Sequence, residues 1–423
     1  MKKRTYRARK INQLELGRLA RRTDGEHVVV GLDIAKHVQF AAFSVGSKEV
    51  VETVRWRLPE QTTEFLDLLT GLPCSSLEVA LEPTGSYGDA LRYQMLNRGL
   101  DVFRVSAKKG HDAREVYDGV PSSHDAKAAA IVAWLHLDGA SEPWPMMSEG
   151  ERALTAAIGM MSVYDEQYQQ GLNRLEALLA RHWPEATGIL KLETVTLLTV
   201  LAEFGGPEEI ARHRVAAQRL MRKTGGSALS EKKVSALLGT AHETVGVAQV
   251  ETESQVLSEL ARETLRSKRA RRVARARVEQ LSQDMPEVEA MGAVVGRATA
   301  AVLTSKIGSP LSFHCARAYE KSGGLNLREN SSGKYQGRLR ITKRGSGRAR
   351  QYLFLAVLRL IQADPLCRAW YLKKVERDGG VKLKAIVGLM RKLIRALWHV
   401  ARGNEFDSAL LFDARRLVVT ATT

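Results

Sequence analysis

Between residues 27 and 107, β-branched and apolar runs alternate with breaks so closely that the chain has few ways to fold. EHVVVGLDIAKHVQFAAFSV opens on a β-branched run that ends at Asp33, and apolar residues return in QFAAFSV and again in KEVVETVRWRL. This reads as a strand, a turn and the further strands of a meander. SLEVAL gives another short strand, 77 to 81, ending at Glu82. Pro83 and Gly85 break it, and an amphipathic helix is expected from about 86 to 97. DVFRVSA, 101 to 107, is a further strand, and the alanines and apolar spacing of SSHDAKAAAIVAWLHL specify a helix. The expectation for 1–145 is therefore an α/β domain.

A chain of 423 residues is too long for one ordinary core, so two or three domains are expected. Sixty-four Lys and Arg stand against 47 Asp and Glu, a net charge of +17. That excess favours a polyanionic partner, and nucleic acid is the common one. The 3 cysteines, Cys74, Cys315 and Cys367, are odd in number and widely spaced. They argue for a reducing compartment and against a disulfide frame or zinc site. MKKRTYRARK is basic, but no apolar segment of a secretory signal follows it, and no apolar run is long enough to span a bilayer. The expected setting is intracellular, with no membrane partner.

Two strands thus end in acids, Asp33 and Glu82, and Asp125 stands near the start of a helix. In open α/β sheets, ligands collect at the carboxyl ends of strands. Clustered carboxylates repel one another unless a hard cation neutralises them, and Mg²⁺ prefers oxygen ligands. Any one of these acids is more simply a solvated loop residue or a cap. Three of them at strand and helix ends in a basic protein favour a metal site of the kind used in phosphodiester chemistry.

Pro143 and Pro145 mark a boundary. The expected connector, 146–283, begins with a helix from 149 to about 181, in which Leu154, Ile158, Met161, Tyr164, Tyr168, Leu172, Leu175 and Leu179 recur at steps of three and four. It reads equally as a coiled-coil or bundle seam and as a helix packed on its own domain. A second helix, about 256 to 283, carries RSKRARRVARARVEQ; Arg269, Arg271, Arg272 and Arg275 make it a candidate nucleic-acid surface. Short helices with Gly-rich turns lie between the two. In the last segment, 284–423, two short helices flank Gly292 and Gly296 as in a helix-hairpin-helix, whose turn offers backbone N–H groups to phosphate. SSGKYQGRLRITKRGSGRAR follows, rich in Gly, Lys and Arg with Tyr335 interleaved. By itself it is a phosphate-binding loop with Ser331 and Ser332 as hydrogen-bonding bystanders.

Taken together, GLDIAKHVQFAAF, LEPTGSYGDALRYQMLNRGLDVFRVSA, SSHDAKAAAIVA and the downstream SSGKYQGRLRITKRG resemble the DEDD-type insertion-sequence transposases (the IS one-ten family), over roughly 27 to 406. The resemblance implies a ribonuclease H-like (RuvC-like) domain followed by a helical coiled-coil connector and a mostly helical transposase domain. It implies four acids: Asp33, Glu82 in EPTG, Asp125, and a fourth at the position held here by Ala128. An i, i+3 pair on a helix faces one way, so the missing carboxylate would have pointed at the same metals. Either the chain manages with three acids or an aspartate has been replaced so as to stop catalysis; the intact remainder of the motif favours the second.

The resemblance further implies that Ser332, before Gly333, is a nucleophile, with Ser331 the neighbour to test against it. Gly333, Lys334, Lys343, Arg344, Arg348 and Arg350 become nucleic-acid contacts. It implies Mg²⁺ on Asp33, Glu82 and Asp125, donor and target DNA as substrates, and a structured guide (bridge) RNA that pairs with both. It also implies a homodimer or homotetramer whose active sites join the acids of one protomer to the serine of another. Two other readings fit the same residues: a RuvC-like structure-selective nuclease that uses water, and a nucleic-acid-binding relative with a decayed site.

Overall fold

The computed structural model describes residues 7–46, 49–83, 85–122, 124–329, 331–332, 337 and 339–413. The chain divides into two compact units, Met1–Met147 and Ser148–Thr423. All three cysteines are free.

The first unit is built from β1 (Arg9–Lys10), α1 (Leu16–Thr23), β2 (His27–Asp33), β3 (Val38–Val45), β4 (Glu49–Arg57), α2 (Thr62–Thr70), β5 (Ser76–Leu81), α3 (Asp89–Asn97), β6 (Asp101–Val105), α4 (Ala107–Asp112), α5 (Arg114–Asp118), α6 (Asp125–Leu137) and β7 (Ser141–Pro143). Its seven-stranded sheet has the order β1-β4-β3-β2-β5-β6-β7. β2, β3 and β4 form the expected antiparallel meander, and β2, β5 and β6 run parallel. The expected strand 101–107 stops at Val105, because the next residues turn into α4; the expected helix from 86 begins at Asp89, after a turn.

Strand alternation decides which face each side chain takes. Val28, Val30, Leu32, Val79 and Leu81 enter one core with Phe65, Leu69, Leu91 and Met95 of α2 and α3. The alternate residues therefore face α6. A side chain on Gly31 would come within 2.2 Å of the Ala129 carbonyl and 2.4 Å of the Ala133 nitrogen. Only glycine on the strand and small residues on the helix allow two backbones to approach so closely. The alanine-rich sequence of α6 thus serves packing as well as helix propensity, and it lays the start of α6 near the end of β2.

The second unit is mostly helical. α7 (Glu149–His182) starts with a capping box: the Ser148 hydroxyl accepts from the Glu151 N–H at 3.2 Å, and the Glu151 carboxylate accepts from the Ser148 N–H at 2.8 Å. Short helices follow: α8 (Ala186–Ile189), α9 (Val195–Phe204), α10 (Pro207–Arg212), α11 (Arg214–Gly225) and α12 (Glu231–His242). α13 (Glu251–Leu281) returns antiparallel along α7, and Gly171 of α7 approaches Thr264 too closely to admit a side chain without displacement. The apolar stripe of α7 is therefore spent within the chain. Leu175 and Leu179 join Leu257, Ala261 and the short helices in one core. Leu154, Ile158 and Met161 join Ala274, Val278 and the C-terminal helices in another.

Those C-terminal elements are α14 (Pro286–Val295), α15 (Arg297–Ile307), α16 (Ala316–Ser322), β8 (Leu327–Arg328), β9 (Arg340–Ile341), α17 (Gly347–Ala363), α18 (Pro365–Arg377) and α19 (Lys382–Val400). α14 and α15 meet at Gly296, whose φ of +85° lies where a side chain is strained, and make the expected helical hairpin. Among the described residues no helix is long and apolar enough to cross a membrane.

Candidate functional site

The parallel register pairs Leu32 with Leu81, so Asp33 and Glu82 follow side by side at the carboxyl ends of neighbouring strands. Alternation puts both on the α6 face, and Asp125 is the first residue of α6. Asp33 and Glu82 are half-buried; Asp125 is exposed. Burial, then the charges of Asp125 and Glu82, push the Asp33 carboxyl up to about 6, with Arg114 partly offsetting them. Burial also raises Glu82, again against Arg114. The three acids that the sequence singled out therefore share one electrostatic neighbourhood.

Among the described residues no group of three or more His, Cys, Asp or Glu side chains is placed to hold a metal ion. The neighbouring carboxylates of Asp33 and Glu82 are oxygen donors of the type Mg²⁺ takes, and Mg²⁺ keeps several waters and is commonly held by one or two carboxylates. Ala128 lies one turn beyond Asp125 on α6, half-buried. Two features of this corner were not read from the sequence. A side chain on Gly110 would come within 2.0 Å of Glu82 Oε1, so glycine there leaves the carboxylate its place. Lys127 is 2% exposed, and its Nζ donates to Asp118 Oδ1 at 2.8 Å and to the Val120 carbonyl at 2.5 Å. This buried pair fastens the segment that leads into α6. KKGHDAREVYDG carried the signal for α4 and α5 only as helix-compatible residues without an apolar stripe.

The raised Asp33 has a pH consequence. Between its unfolded value near 3.8 and about 6, the folded chain holds a proton that the unfolded chain has lost, so this site's contribution to stability falls as pH rises through that window. Above it the ionised carboxylate is a standing cost, on the order of 1 kcal/mol once solvent screening of a half-buried group is allowed for. Asp33→Asn should therefore melt about 2 °C higher than the parent at pH 7.5 and lose that advantage near pH 4. Adding Mg²⁺ at pH 7.5 should raise the melting temperature of the parent more than that of the variant. Melting curves at both pH values check this, and an Asn variant that is less stable at pH 7.5 would contradict it.

The serine segment stands on a short two-stranded ribbon. β8 and β9 pair through Leu327–Ile341 and Arg328–Arg340. At its base the Thr342 N–H donates to the Asn326 carbonyl at 2.9 Å and the Lys343 N–H to the Gly324 carbonyl at 3.0 Å. Side chains on Gly324 or Gly345 would meet the Arg344 carbonyl at 2.4 Å or the Ser322 carbonyl at 2.3 Å. The glycines of KSGG and KRGSG thus let two turns press together beneath the arm. Lys343, at φ +55°, completes that tight turn.

Ser331 Oγ donates to Glu329 Oε1 at 2.6 Å and accepts from the Gly337 N–H at 3.0 Å. Ser332 is exposed, and no hydrogen bond of its hydroxyl is found among the described residues. Gly333, Lys334 and Tyr335 lie outside the described residues. Lys343 and Arg344 are exposed. Arg350 donates to the Gly323 and Gly345 carbonyls at 3.3 and 3.1 Å, so it ties the turns together, and Arg348 pairs with Glu166.

On α13, Arg269, Arg271, Arg272 and Arg275 are all exposed. Arg271 pairs with Asp165 at 2.7 Å and Arg275 with Glu279 at 3.1 Å. Replacing all four by Ala should flatten the dependence of log affinity for DNA on log salt by about 2 to 3, less than four full contacts because two are partly neutralised already. Anisotropy titrations across salt measure the slope, and an unchanged slope would make this face merely solvated.

Residues 293–372, which run from the α14–α15 hairpin through the serine arm into α18, match the family described as transposase, IS116/IS110/IS902 family. This similarity supports DNA transposase activity, and with it DNA binding, at a general level. No curated protein matches the chain.

Proposed function

We propose that this chain is a DNA transposase/recombinase of an insertion sequence that cuts and rejoins DNA through a serine nucleophile, assisted by the acids of a RuvC-like domain. The observation that carries the reading is that Ser332 stands exposed on a glycine-clamped arm inside the segment similar to those transposases. The strand order β4-β3-β2-β5-β6, with its antiparallel meander and parallel pairs, supports the RuvC-like assignment, as do acids at the ends of β2 and β5.

In this mechanism the Ser332 hydroxyl attacks a DNA phosphorus. A serine–phosphorus ester forms, one phosphorus–oxygen ester of the DNA breaks, and the released oxygen takes up a proton. One ester replaces another, so rejoining needs no external energy source. Asp33, Glu82 and Asp125 would hold Mg²⁺, which when bound eases loss of the serine proton and offsets charge on phosphorus. Arg and Lys side chains of the arm and of α13 hold the phosphate backbone. The reading extends to a structured guide RNA that pairs with donor and target DNA, leaving the protein to hold backbone and shape, and to an assembly of two or four protomers.

The test is incubation of the protein, unaltered and as Ala128→Asp, with DNA from the ends of the element and Mg²⁺, followed by denaturing electrophoresis. A protein–DNA adduct that survives denaturation supports the reading. Metal-dependent cutting without an adduct would select the hydrolytic nuclease instead. A structured RNA from the element's flanks should bind better than a scrambled one; equal affinities would remove the guide from the proposal.

A further inference from the structure

The second unit holds a cleft of about 590 Å³ where α7, α13, α15 and α17 meet. Arg271, Arg275, Arg348 and Arg359 line it against two carboxylates, Asp165 and Glu166, and with Glu279, which pairs with Arg275, the arginines exceed the acids by one. The way Asp165 is held shows what the cleft offers an anion. One of its oxygens is ion-paired with Arg271, 2.7 Å from Nε, and the other accepts from the Tyr352 hydroxyl at 2.6 Å. One oxygen of the exposed Glu166 accepts from Arg348 Nη2. The Arg271 guanidinium also lies over the Tyr168 ring, 5.1 Å from its centroid, which fixes its plane.

The other two arginines point to the hairpin turn. Arg359 Nη2 donates to the Val295 carbonyl at 3.1 Å and to Thr299 Oγ1 at 3.2 Å. Arg275 Nη2 and Arg359 Nη1 come within 3.9 and 4.0 Å of the place a Gly296 side chain would occupy. Lys306, near Arg348, is pushed below the usual lysine range, first by burial and then by the charge of Arg348. The acids of α7 pair with Arg271 and Arg348 and Glu279 of α13 pairs with Arg275, so among the described residues no ion pair is found for Arg359, which faces the cleft.

We propose that this cleft is a binding site for a phosphodiester of a nucleic-acid strand, and that Asp165 and Glu166 hold its arginines in place while competing with the incoming phosphate. A phosphodiester presents two non-bridging oxygens and one negative charge, as a carboxylate does, so it suits the donors that now hold Asp165. The inference rests on the nucleic-acid reading above. It adds a defined site at the helical hairpin and an acidic gate over it.

The competition gives the test its direction. Asp165→Asn with Glu166→Gln keeps the shapes of both side chains and removes two negative charges. The full-length variant should bind nucleic acid about tenfold more tightly at low salt, with the gain shrinking as salt rises. Arg275→Ala with Arg348→Ala should weaken binding about tenfold and reduce the salt slope by up to about 2. The probes are fluorescein-labelled single-stranded DNA, single-stranded RNA and duplex DNA of one length, read by anisotropy, with melting curves for each variant. The probe that responds most identifies the strand the cleft takes. If the amide variant melts lower and binds no probe more tightly, Asp165 and Glu166 are only staples between helices and the gate is overturned. If the arginine variant keeps the parent affinity and slope on every probe, the site is overturned while the transposase reading stands. If the unaltered protein binds none of the probes, the nucleic-acid reading and the site fall together.

Discussion

Ser332→Ala is expected to abolish the covalent protein–DNA adduct and to lower strand exchange by roughly 10⁴-fold or more, the loss that follows when a nucleophile is removed from a site whose other members stay. The measurement belongs in the Ala128→Asp background, so that a lacking acid does not mask the result, and uses denaturing gels of end-labelled element DNA. The structure gives a reason to prefer Ser332 to its neighbour. The Ser331 hydroxyl already donates to Glu329 and accepts an N–H from Gly337, so it organises the arm. The Ser332 hydroxyl is exposed on the same arm. Ser331→Ala should loosen the arm and slow the reaction about tenfold, a loss typical of a missing buried or bridging hydrogen bond, while the adduct remains. The reverse outcome would shift the register by one, and Glu329, 2.6 Å from Ser331 Oγ, would then be placed as its general base. Were both variants to form the adduct, neither serine would be its required nucleophile; were the parent to cut DNA without any adduct, the covalent mechanism would be wrong.

What sequence alone made legible follows from the range of the interactions involved. The meander, the strand at 77–81 and the two terminal acids were readable because strand periodicity and β-branched runs are local signals. So was the alanine-rich helix, but not why it is alanine-rich. That reason is the contact of its backbone with Gly31, which depends on tertiary approach. α4 and α5 were missed because they bury little and show no stripe. The partner of the 149–182 helix was undecidable, since a heptad-like seam has the same form whether it meets the same chain or another. The structure supplies α13. Tyr352 and Arg271 around Asp165 come from different helices and carry no joint pattern in sequence, which is why the cleft was invisible there.

Ala128→Asp is expected to raise Mg²⁺-dependent cleavage and strand exchange by roughly 10²-fold or more, the scale on which metal-site residues matter. Position 128 lies one helical turn after Asp125, a spacing that brings the two side chains to one side of α6. Ala128 is half-buried, so a carboxylate has access to solvent and needs no cavity in the core. Its place near the start of α6 also suits a negative charge, because the helix dipole favours acids there by about 0.3–1 kcal/mol. Against this stands repulsion from Asp33, already raised to about 6 by burial and by its acidic neighbours. The two effects oppose, so folding stability without metal should change by less than about 1 kcal/mol. Activity should change far more, because a fourth oxygen ligand would both tighten and orient a cation held by the proposed site. The added charge pushes Asp33 higher still in the metal-free protein. Activity at limiting Mg²⁺ should therefore climb as pH rises above 6, and saturating Mg²⁺ should move that climb to lower pH by favouring the ionised carboxylates. Adding Asp33→Ala must remove the gain. If the unaltered chain is already fully active, or if Asp at 128 changes neither rate nor metal requirement in a working assay, the four-acid site is wrong for this protein. Position 128 is then an ordinary helix alanine.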